Sequence, residues 1–362
     1  MRVAVLWTRL SGYMNACLHE LAQRPGVELM VCHEVPHAEA PFEDAQFAWI
    51  EQRHTWKSKA EMRALPERVR AFDPQVLMVP GWHLPVYRQI ARERRGQSLR
   101  IMGMDNCWLA RPRQLGATLI APWILHPLAE MVWLPGERQA VFARKLGFRQ
   151  EQILRGLYAC DRRRFAEKYE ERKKRGQALP QAFLFVGRFV PDKGIEVLAE
   201  AYRQYRERVA QPWPLVCCGT GERRQLLEGQ PGIKVEGFVQ PEALPEKLAG
   251  AGCFVLPSRF EPWAVALQEA ASAGLILLAS EKVGSAVHLV QPGHNGFIVT
   301  NGDSEGLAGM MVRVSELSEE RCEAMSGASH ALSRQFTPER WADTLMDAYA
   351  AFEETRGERG AR

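Results

Sequence analysis

The sequence predicts an α/β protein built from two doubly wound domains. Short apolar runs rich in Val, Ile and Leu alternate along the chain with longer amphipathic segments, which is the pattern of a parallel sheet with crossover helices. A chain of 362 residues is too long for one small core and suits two domains of roughly 150 to 180 residues each. The apolar runs also fall into two sets of similar size, one in each half of the sequence.

The runs define the predicted strands and the predicted domain limits. In the first half, strands are expected at residues 3–7, 27–33, 76–79, 100–104, 131–134 and 153–154. In the second half, they are expected at residues 183–186, 215–218, 233–236, 253–256, 275–278 and 296–299. A polar segment that ends in Gly and Pro, residues 160–180, reads as a linker or a helix leading into one. We therefore expect Rossmann-like domains over residues 1–175 and 180–335, and a further helix over residues 337–356 with an apolar face.

Composition narrows the class of protein and its surroundings. The net charge of +4 gives no argument for a nucleic acid partner, and the eight cysteines form no CxxC pair, which favours free thiols over disulfides or a zinc site. No secretory leader and no apolar stretch of about 18 residues is evident, so the protein is expected to be cytoplasmic, either soluble or peripheral to the membrane. Residues 160–180 carry eight Lys or Arg against four Asp or Glu, which leaves open a contact with anionic lipid beside an ordinary solvated helix face.

The turns that follow the strands of the second half carry the candidate site residues. Gly187 and Arg188 follow the strand at 183–186, and Lys193 follows a Pro-Asp turn. Ligands of open α/β sheets bind beyond the carboxyl ends of the strands, where two cations could hold a diphosphate. Gly219 and Gly221 follow the next strand, and we expect a helix after them whose start would favour an anion. Taken alone, the first turn is better explained as an ordinary surface turn, and Gly219-x-Gly221 is weak evidence because tight turns need glycine.

Two glutamates follow the strand at 253–256. Glu261 precedes Pro262, which suits the first position of a helix that runs to Gly274, and Glu269 is expected about two turns into that helix. A carboxylate at a helix start is favoured by the helix dipole, which is a purely structural explanation for Glu261. Glu269 has no such explanation, because it lies among Ala, Leu and Val, and a buried carboxylate is costly unless hydroxyls or cations satisfy it.

The order and spacing of these elements resemble the retaining glycosyltransferases of family 4, which have the GT-B fold. The matching elements are Gly187-Arg188, Lys193-Gly194, Gly219-x-Gly221, Pro257-Ser258, Glu261-x7-Glu269 and Ala273-Gly274. A looser similarity extends to "SGY" at 11–13, which looks like the glycine loop of that family, and to "GLYACD" at 156–161, which looks like its interdomain segment. The resemblance implies two Rossmann-like domains facing a cleft, with the last helix returning to the N-terminal domain.

The resemblance also implies roles for individual residues. Glu269 would hold the ribose of a nucleotide sugar and Glu261 the transferred hexose, while Arg188 and Lys193 would take the diphosphate without a metal. The backbone groups of further residues would contact the rest of the nucleotide sugar. These are Trp263, Ala264 and Val265 at the hexose and α-phosphate, Phe238 and Val239 at the base, and Gly187, Gly219, Gly221 and Gly12 along the phosphates. A UDP- or GDP-sugar would be the co-substrate, and no other cofactor is implied.

The sequence departs from the family pattern at two places. Ala264 stands where members commonly have Gly, which bears on the identity of the sugar. Many members also carry a histidine at the end of the fourth N-domain strand, where this chain has Met104, Asp105 and Asn106. Asp105 could orient the acceptor hydroxyl or the sugar in its place. His83 and His126 are the other candidates, and a lone loop histidine is more often structural.

The function expected from the sequence is therefore transfer of a hexose, with retention of the anomeric configuration, to a hydroxyl of a glycan or lipid-linked acceptor. The alternatives are a GT-B phosphorylase or nucleotide-sugar epimerase, or a non-catalytic subunit that binds a sugar nucleotide. The stretch at residues 48–63 is rich in aromatic and basic side chains, which is consistent with an acceptor contact and equally with a solvated helix.

Overall fold

The computed structural model of the chain describes residues 1–35, 44–58 and 60–360. It contains two compact units, Met1–Cys160 with Pro338–Arg362, and Asp161–Thr337. Both are built on wholly parallel sheets with helices between the strands, so the predicted Rossmann-like α/β class is confirmed.

The first unit has a seven-stranded sheet in the order β3-β2-β1-β4-β5-β6-β7. The strands are β1 Arg2–Leu6, β2 Glu28–Glu34, β3 Gln52–Trp56, β4 Val76–Val79, β5 Leu99–Gly103, β6 Met131–Leu134 and β7 Ile153–Arg155. Successive side chains of a strand point to opposite faces, so Ala4 and Leu6 join the core on one face while Val3, Val5 and Trp7 join the core on the other. Both faces of the sheet are therefore buried, which explains the apolar runs in the sequence.

Helices cover both faces of this sheet. They are α1 Gly12–Ala22, α2 Leu65–Phe72, α3 Pro85–Glu93, α4 Pro112–Ile124, α5 Glu137–Lys145 and the last helix of the chain, α13 Pro338–Gly360. The indole of Trp341 on α13 stacks on that of Trp133 with 4.6 Å between ring centroids. Its Nε1 donates to the carbonyl oxygen of Leu157 over 2.9 Å. The final helix is thus part of the core of the first unit.

Strand β3 is an element that the sequence did not predict. The sequence predicts an acceptor contact or a solvated helix at residues 48–63. The helix is wrong, because Gln52–Trp56 is a strand that pairs in parallel with β2 at the edge of the sheet; the acceptor contact stays a prediction. An edge strand needs no continuous apolar run, and polar side chains there discourage pairing with other chains. Arg53 forms an ion pair with Asp44. Lys59 of the same stretch lies outside the described residues.

The second unit has a six-stranded sheet in the order β10-β9-β8-β11-β12-β13. The strands are β8 Phe183–Val186, β9 Leu215–Cys218, β10 Ile233–Gly237, β11 Cys253–Leu256, β12 Ile276–Ser280 and β13 Gly296–Val299. The helices are α6 Arg162–Lys174, α7 Ile195–Arg208, α8 Leu244–Ala249, α9 Val265–Ser272, α10 Ala286–Leu289, α11 Ser304–Ser315 and α12 Glu319–Leu332.

The predicted linker is a helix of the second unit, so the predicted boundary between 175 and 180 is too late. Helix α6 packs on α8 and α9 and buries Phe165, and the units divide between Cys160 and Asp161. Three of its basic residues are paired with acids of the same unit: Lys168 with Glu246 at 2.7 Å, and Arg172 and Lys173 with Glu323. The contact with anionic lipid that the composition left open on this segment stays a prediction.

No helix in the described ranges is long and apolar enough to cross a membrane.

Candidate functional site

The strand order reverses between β8 and β11 in the second unit. The chain runs outward from β8 through β9 to β10 on one side and then returns to place β11 on the other side of β8. In an open α/β sheet, such a reversal opens a crevice beyond the carboxyl ends of the two central strands, where ligands bind. The predicted site residues Arg188, Lys193 and Glu261 all follow β8 or β11 at this point.

Lys193 and Glu261 meet across the reversal. Lys193 ends a short 3-10 turn, Pro191–Lys193, after β8, and its Nζ donates to Oε2 of Glu261, which follows β11. The two side chains are 19% and 11% exposed, so the pair is shielded and yet reachable from solvent. The loop backbones are joined as well, because the amide of Arg259 donates to the carbonyl oxygen of Asp192 over 2.8 Å.

Arg188 lies beside this pair in sequence and has a different environment. Its side chain is exposed, and within the described ranges it makes no hydrogen bond or ion pair. The adjoining Gly187 donates its amide to the carbonyl oxygen of Cys218 over 3.0 Å, which fixes the start of the loop against the end of β9. A guanidinium without a partner at the mouth of a crevice is available to an anion.

Glycines allow the loops of this edge to touch. A Cβ on Gly194 would lie 2.1 Å from the carbonyl oxygen of Pro257, and one on Gly219 would lie 1.9 Å from that of Gly187. Gly221, with φ of 150°, approaches the carbonyl oxygen of Phe189 in the same way. Only residues without a side chain fit at such approaches, so these glycines have a structural reason to be there.

The helix expected after Gly221 is absent, which corrects one prediction. The residues that follow form only a 3-10 turn, Arg224–Leu226. A turn of three residues offers no aligned set of free amides, so it does not form the anion site that the sequence suggested. Phe238 and Val239 follow β10 beside this loop, and the amide of Gly219 donates to the carbonyl oxygen of Gly237 over 2.6 Å. Phe238 is exposed and Val239 is half-buried.

The helix with the second glutamate begins later than predicted. The first residue of α9 is Val265, because residues 261–264 pair instead with the loop that precedes α10. The amides of Gly284 and Ser285 donate to the carbonyl oxygens of Glu261 and Trp263 over 2.9 and 2.8 Å. This pairing holds Glu261 in an extended segment, so the expected stabilisation of its carboxylate by a helix start does not apply.

Ala264 has a backbone conformation that favours glycine. Its φ is 81° and its ψ is 87°, and it immediately precedes α9. Such a conformation costs an L-residue with a Cβ on the order of 1 kcal/mol. The departure from the family pattern at this position therefore has a local cost in strain. Trp263 is buried with its ring against His288 and Phe336, so only its backbone faces the loop.

Glu269 lies on α9, little more than one turn from its start. Its carboxylate is half-buried and accepts no hydrogen bond from the residues described. Burial raises the pKa of Glu269 to about 7, and attraction to Arg164 on α6 lowers that pKa only in part. The sequence did not predict Arg164 as a neighbour, because α6 lies about a hundred residues earlier along the chain. A partly accessible carboxylate without donors is one that ligand hydroxyls can satisfy.

The first unit has a cavity at its own reversal of strand order, between β1 and β4. Its volume is about 660 Å³, and it is bounded by the carboxyl ends of four strands. The lining residues are Trp7, Thr8, Arg9, Tyr13, Glu34, Pro80, Gly81, Trp82, His83, Gly103, Met104, Asp105, Asn106 and Tyr158. Rings beside charged and amide groups form a surface that suits a sugar, because sugars present both CH faces and hydroxyls.

The N-domain candidates differ in their relation to this cavity. Asp105 and His83 line it, and Asp105 accepts a hydrogen bond from the hydroxyl of Tyr158 over 3.2 Å. His126 does not line it; its Nε2 lies 2.9 Å from the carbonyl oxygen of Leu146, and its ring packs on Phe148. His126 is therefore a packing residue, which removes it as a substitute for the missing histidine. Gly12 is the first residue of α1.

Within the described ranges, no group of three or more His, Cys, Asp or Glu side chains is placed to bind a metal ion.

Comparison with known proteins gives a family match over part of the chain and a fold over nearly all of it. Residues 167–330 match the family model described as Glycosyl transferases group 1. These residues fall within the second unit and include every candidate residue of that unit. The two parallel, doubly wound units have the architecture of the GT-B glycosyltransferases.

Individual relatives agree with this assignment. An uncharacterised glycosyltransferase of Methanocaldococcus jannaschii is 33% identical over 138 residues, covering 36% of this chain and 35% of the relative. A putative colanic acid biosynthesis glycosyltransferase, WcaL of Salmonella typhimurium, is 27% identical over 194 residues, covering 50% and 47%. The chain thus matches a third to a half of the length of these relatives. The crystal structure of Anabaena HepE in complex with UDP has a TM-score of 0.73 at 17% identity, covering 97% of this chain and 100% of that one. HepE has also been solved with UDP-glucose.

Proposed function

We propose that the protein is a glycosyltransferase that moves a hexose from a UDP- or GDP-sugar to a hydroxyl of a glycan or lipid-linked acceptor. Transfer retains the configuration of the anomeric carbon and needs no metal. The second unit is the donor domain, and the first unit, with the last helix, is the acceptor domain.

One observation carries the proposal. At the strand reversal of the second unit, the shielded pair of Lys193 and Glu261 joins the loops that follow β8 and β11, and the loop after β8 also carries Arg188, whose exposed guanidinium has no partner among the described residues. This arrangement offers cations for a diphosphate and a carboxylate for sugar hydroxyls within one crevice. The family match over residues 167–330 and the nucleotide-bound structures of HepE support the same class of ligand.

The chemistry requires charge stabilisation more than a reactive side chain. As the bond from the anomeric carbon to the phosphate oxygen breaks, negative charge grows on the diphosphate, and Arg188 and Lys193 neutralise it. Removal of one such group from an active site typically costs about 10²- to 10³-fold in turnover. The acceptor hydroxyl attacks on the face that the diphosphate leaves, and the departing phosphate oxygen takes its proton. Lys193 can turn from Glu261 to the phosphate when Glu261 gains sugar hydroxyls as partners.

Glu269 supplies the ribose contact in this proposal. Its carboxylate has no hydrogen-bond donor of its own among the residues described, and burial has raised its pKa. Two ribose hydroxyls would supply the missing donors, and each charge-assisted hydrogen bond of this type contributes about 1.5 to 3 kcal/mol. The nucleotide therefore satisfies a carboxylate that is costly in the free protein.

The acceptor side is assigned to the cavity of the first unit. Trp7, Trp82 and Tyr13 are among its lining residues, and Asp105, after β5, accepts a hydrogen bond from Tyr158. We propose that Asp105 orients the acceptor hydroxyl, the place that a histidine takes in many members of the family that the sequence resembles. His83 lines the same cavity and is the other candidate for that role.

The test is donor turnover measured as release of nucleoside diphosphate. The full-length protein is incubated with a panel of UDP- and GDP-sugars, with and without glycan and lipid extracts. We expect slow donor hydrolysis from one nucleotide sugar and faster release when a suitable acceptor is present. Donor binding without turnover in any condition would identify a sugar-nucleotide binding subunit, and turnover that depends on inorganic phosphate would identify a phosphorylase.

Two matched variants separate the site from the surface. Lys193→Ala removes a proposed diphosphate contact, whereas Lys173→Ala removes an exposed lysine of α6 that is paired with Glu323 at 3.0 Å. Equal loss of turnover in both variants, or in neither, would contradict the placement of the site at the strand reversal.

A further inference from the structure

Helix α4 of the first unit exposes an apolar face. Leu115, Leu119 and Trp123 are spaced four residues apart, so they lie along one side of the helix, and Ile120 adjoins them. These side chains are 50%, 74%, 75% and 48% exposed, respectively. Scattered apolar side chains are ordinary on a surface, but a continuous row on one helix marks an interaction site.

The opposite side of α4 is already packed. Ala121 is fully buried in the core, and Ala117 and Ile124 pack against the same core. The exposed row is therefore an additional apolar face, since it cannot turn inward without pulling these residues out.

The segment that carries the row has charges of a single sign. Residues 106–129 contain two arginines, Arg111 and Arg113, and no aspartate or glutamate. Both arginines are exposed at the start of α4. Beside that start, the ammonium of Lys145 lies 4.8 Å from the centre of the ring of Trp108. An exposed tryptophan and leucine row with cations at its edge matches the chemistry of an interfacial helix on an anionic lipid surface.

We propose that α4 docks the protein on an anionic phospholipid bilayer, with Leu115, Leu119, Ile120 and Trp123 among the acyl chains and Arg111 and Arg113 at the headgroups. A second copy of the chain fits the face less well. A two-fold contact uses the same patch of both copies, so neither copy would supply an acid from this segment to pair with Arg111 and Arg113 of the other. The docking site stands independently of the proposed transfer reaction.

The experiment is sedimentation of the full-length protein with vesicles of neutral phosphatidylcholine, with or without 30% phosphatidylglycerol. We expect binding to the anionic vesicles that weakens in 0.5 M NaCl, since bound charges at a surface are screened. The variants are Leu119→Glu and Trp123→Glu, both at exposed positions where folding does not depend on the side chain. Each should weaken binding at least tenfold, and Arg113→Ala by about fivefold. The matched control is Val287→Glu, an exposed apolar residue of the second unit, 54% exposed, which should bind like the parent protein.

Three outcomes would overturn the proposal. One is that the parent protein stays in the supernatant with every vesicle composition. Another is that Leu119→Glu and Trp123→Glu bind as tightly as Val287→Glu. The third is that light scattering in the absence of lipid shows a dimer that Trp123→Glu converts to a monomer, which would assign the face to a second copy. Each result is read without measuring sugar transfer, so failure here would leave the proposed reaction standing.

Discussion

Replacement of Glu269 by glutamine should make the free protein more stable and its complex with nucleotide weaker. The two side chains have nearly the same shape, so the change removes the charge and little else. Because burial raises the pKa of Glu269 to about 7, the ionised form is the unfavourable one in the folded state. Ribose hydroxyls, however, would donate their hydrogen bonds to this ionised form.

The magnitude follows from the shift in pKa. From an ordinary value of 4.5, the pKa of this carboxyl rises to about 7 on folding. Each unit is equivalent to about 1.4 kcal/mol, so ionisation of Glu269 costs the folded state about 3 kcal/mol. Between pH 4.5 and pH 7, the carboxyl of Glu269 keeps its proton in the folded protein but has lost it in the unfolded chain. The contribution of Glu269 to stability is therefore greatest below pH 4.5 and is lost as the pH rises through 7.

The stability advantage of Glu269→Gln should accordingly grow with pH. Between pH 5 and pH 8, we expect the difference in unfolding free energy between the variant and the parent protein to increase by roughly 2–3 kcal/mol. Thermal unfolding measured across this range tests the sign directly. The control is Glu228→Gln, an exposed glutamate that pairs with Arg224 at 2.9 Å, for which the difference in unfolding free energy should not grow between pH 5 and pH 8.

Nucleotide binding provides the second measurement. At pH 8, Glu269→Gln should weaken UDP or GDP about tenfold, the loss expected when a charge-assisted hydrogen bond becomes a neutral one. In the parent protein, binding should release a proton below pH 7, because ribose hydroxyls favour the ionised carboxylate. Calorimetry in buffers of different ionisation enthalpy measures that proton. A variant that is no more stable than the parent protein at pH 8 and binds nucleotide equally well would refute the reasoning.

Four further outcomes are expected. Lys193→Ala should lower turnover at least 10²-fold, and Lys173→Ala should leave it unchanged, in steady-state kinetics. Turnover should be unaffected by excess chelator; loss on chelation with recovery in Mg²⁺ would count against a clamp made of side chains alone. Asp105→Asn should reduce kcat more than donor affinity, and equal effects on the two would make Asp105 a binding residue. Tyr158→Phe should reduce kcat about fivefold through loss of one hydrogen bond. Ala264→Gly should raise the unfolding free energy by up to about 1 kcal/mol by relieving its backbone strain, and a destabilised variant would disprove the strain.

The strands were predictable where both faces of the sheet are buried. A strand such as β4 or β11 has an unbroken apolar run because neither side meets water, and its limits agree with those predicted. Strand β3 escaped prediction since it pairs on one side only and carries polar residues, which gives it no such run. The boundary of the second unit was missed for a related reason: the many charges of α6 conceal the few apolar residues, Phe165 among them, that attach it.

The candidate site was predictable to the level of the strand ends. Residues that follow adjacent parallel strands emerge at one edge, so the sequence could place Lys193 and Glu261 in the same region before their contact was known. It could not give the start of α9, because the pairing of residues 261–264 with residues 283–285 is a tertiary contact. Nor could it give the positive φ of Ala264, since alanine carries no signal for that conformation. The sequence also could not show that Leu119 is exposed, because an apolar residue on a helix is expected in the core until the packing is known.

The return of α13 to the first unit has a consequence for how the protein is made. The ring of Trp133 is covered by Trp341, which the ribosome adds some two hundred residues later. The nascent N-terminal portion therefore emerges with part of its apolar core uncovered, while residues 161–337 form one continuous stretch that can complete its own core first. During synthesis, the second unit should thus become resistant to proteases before the first unit does.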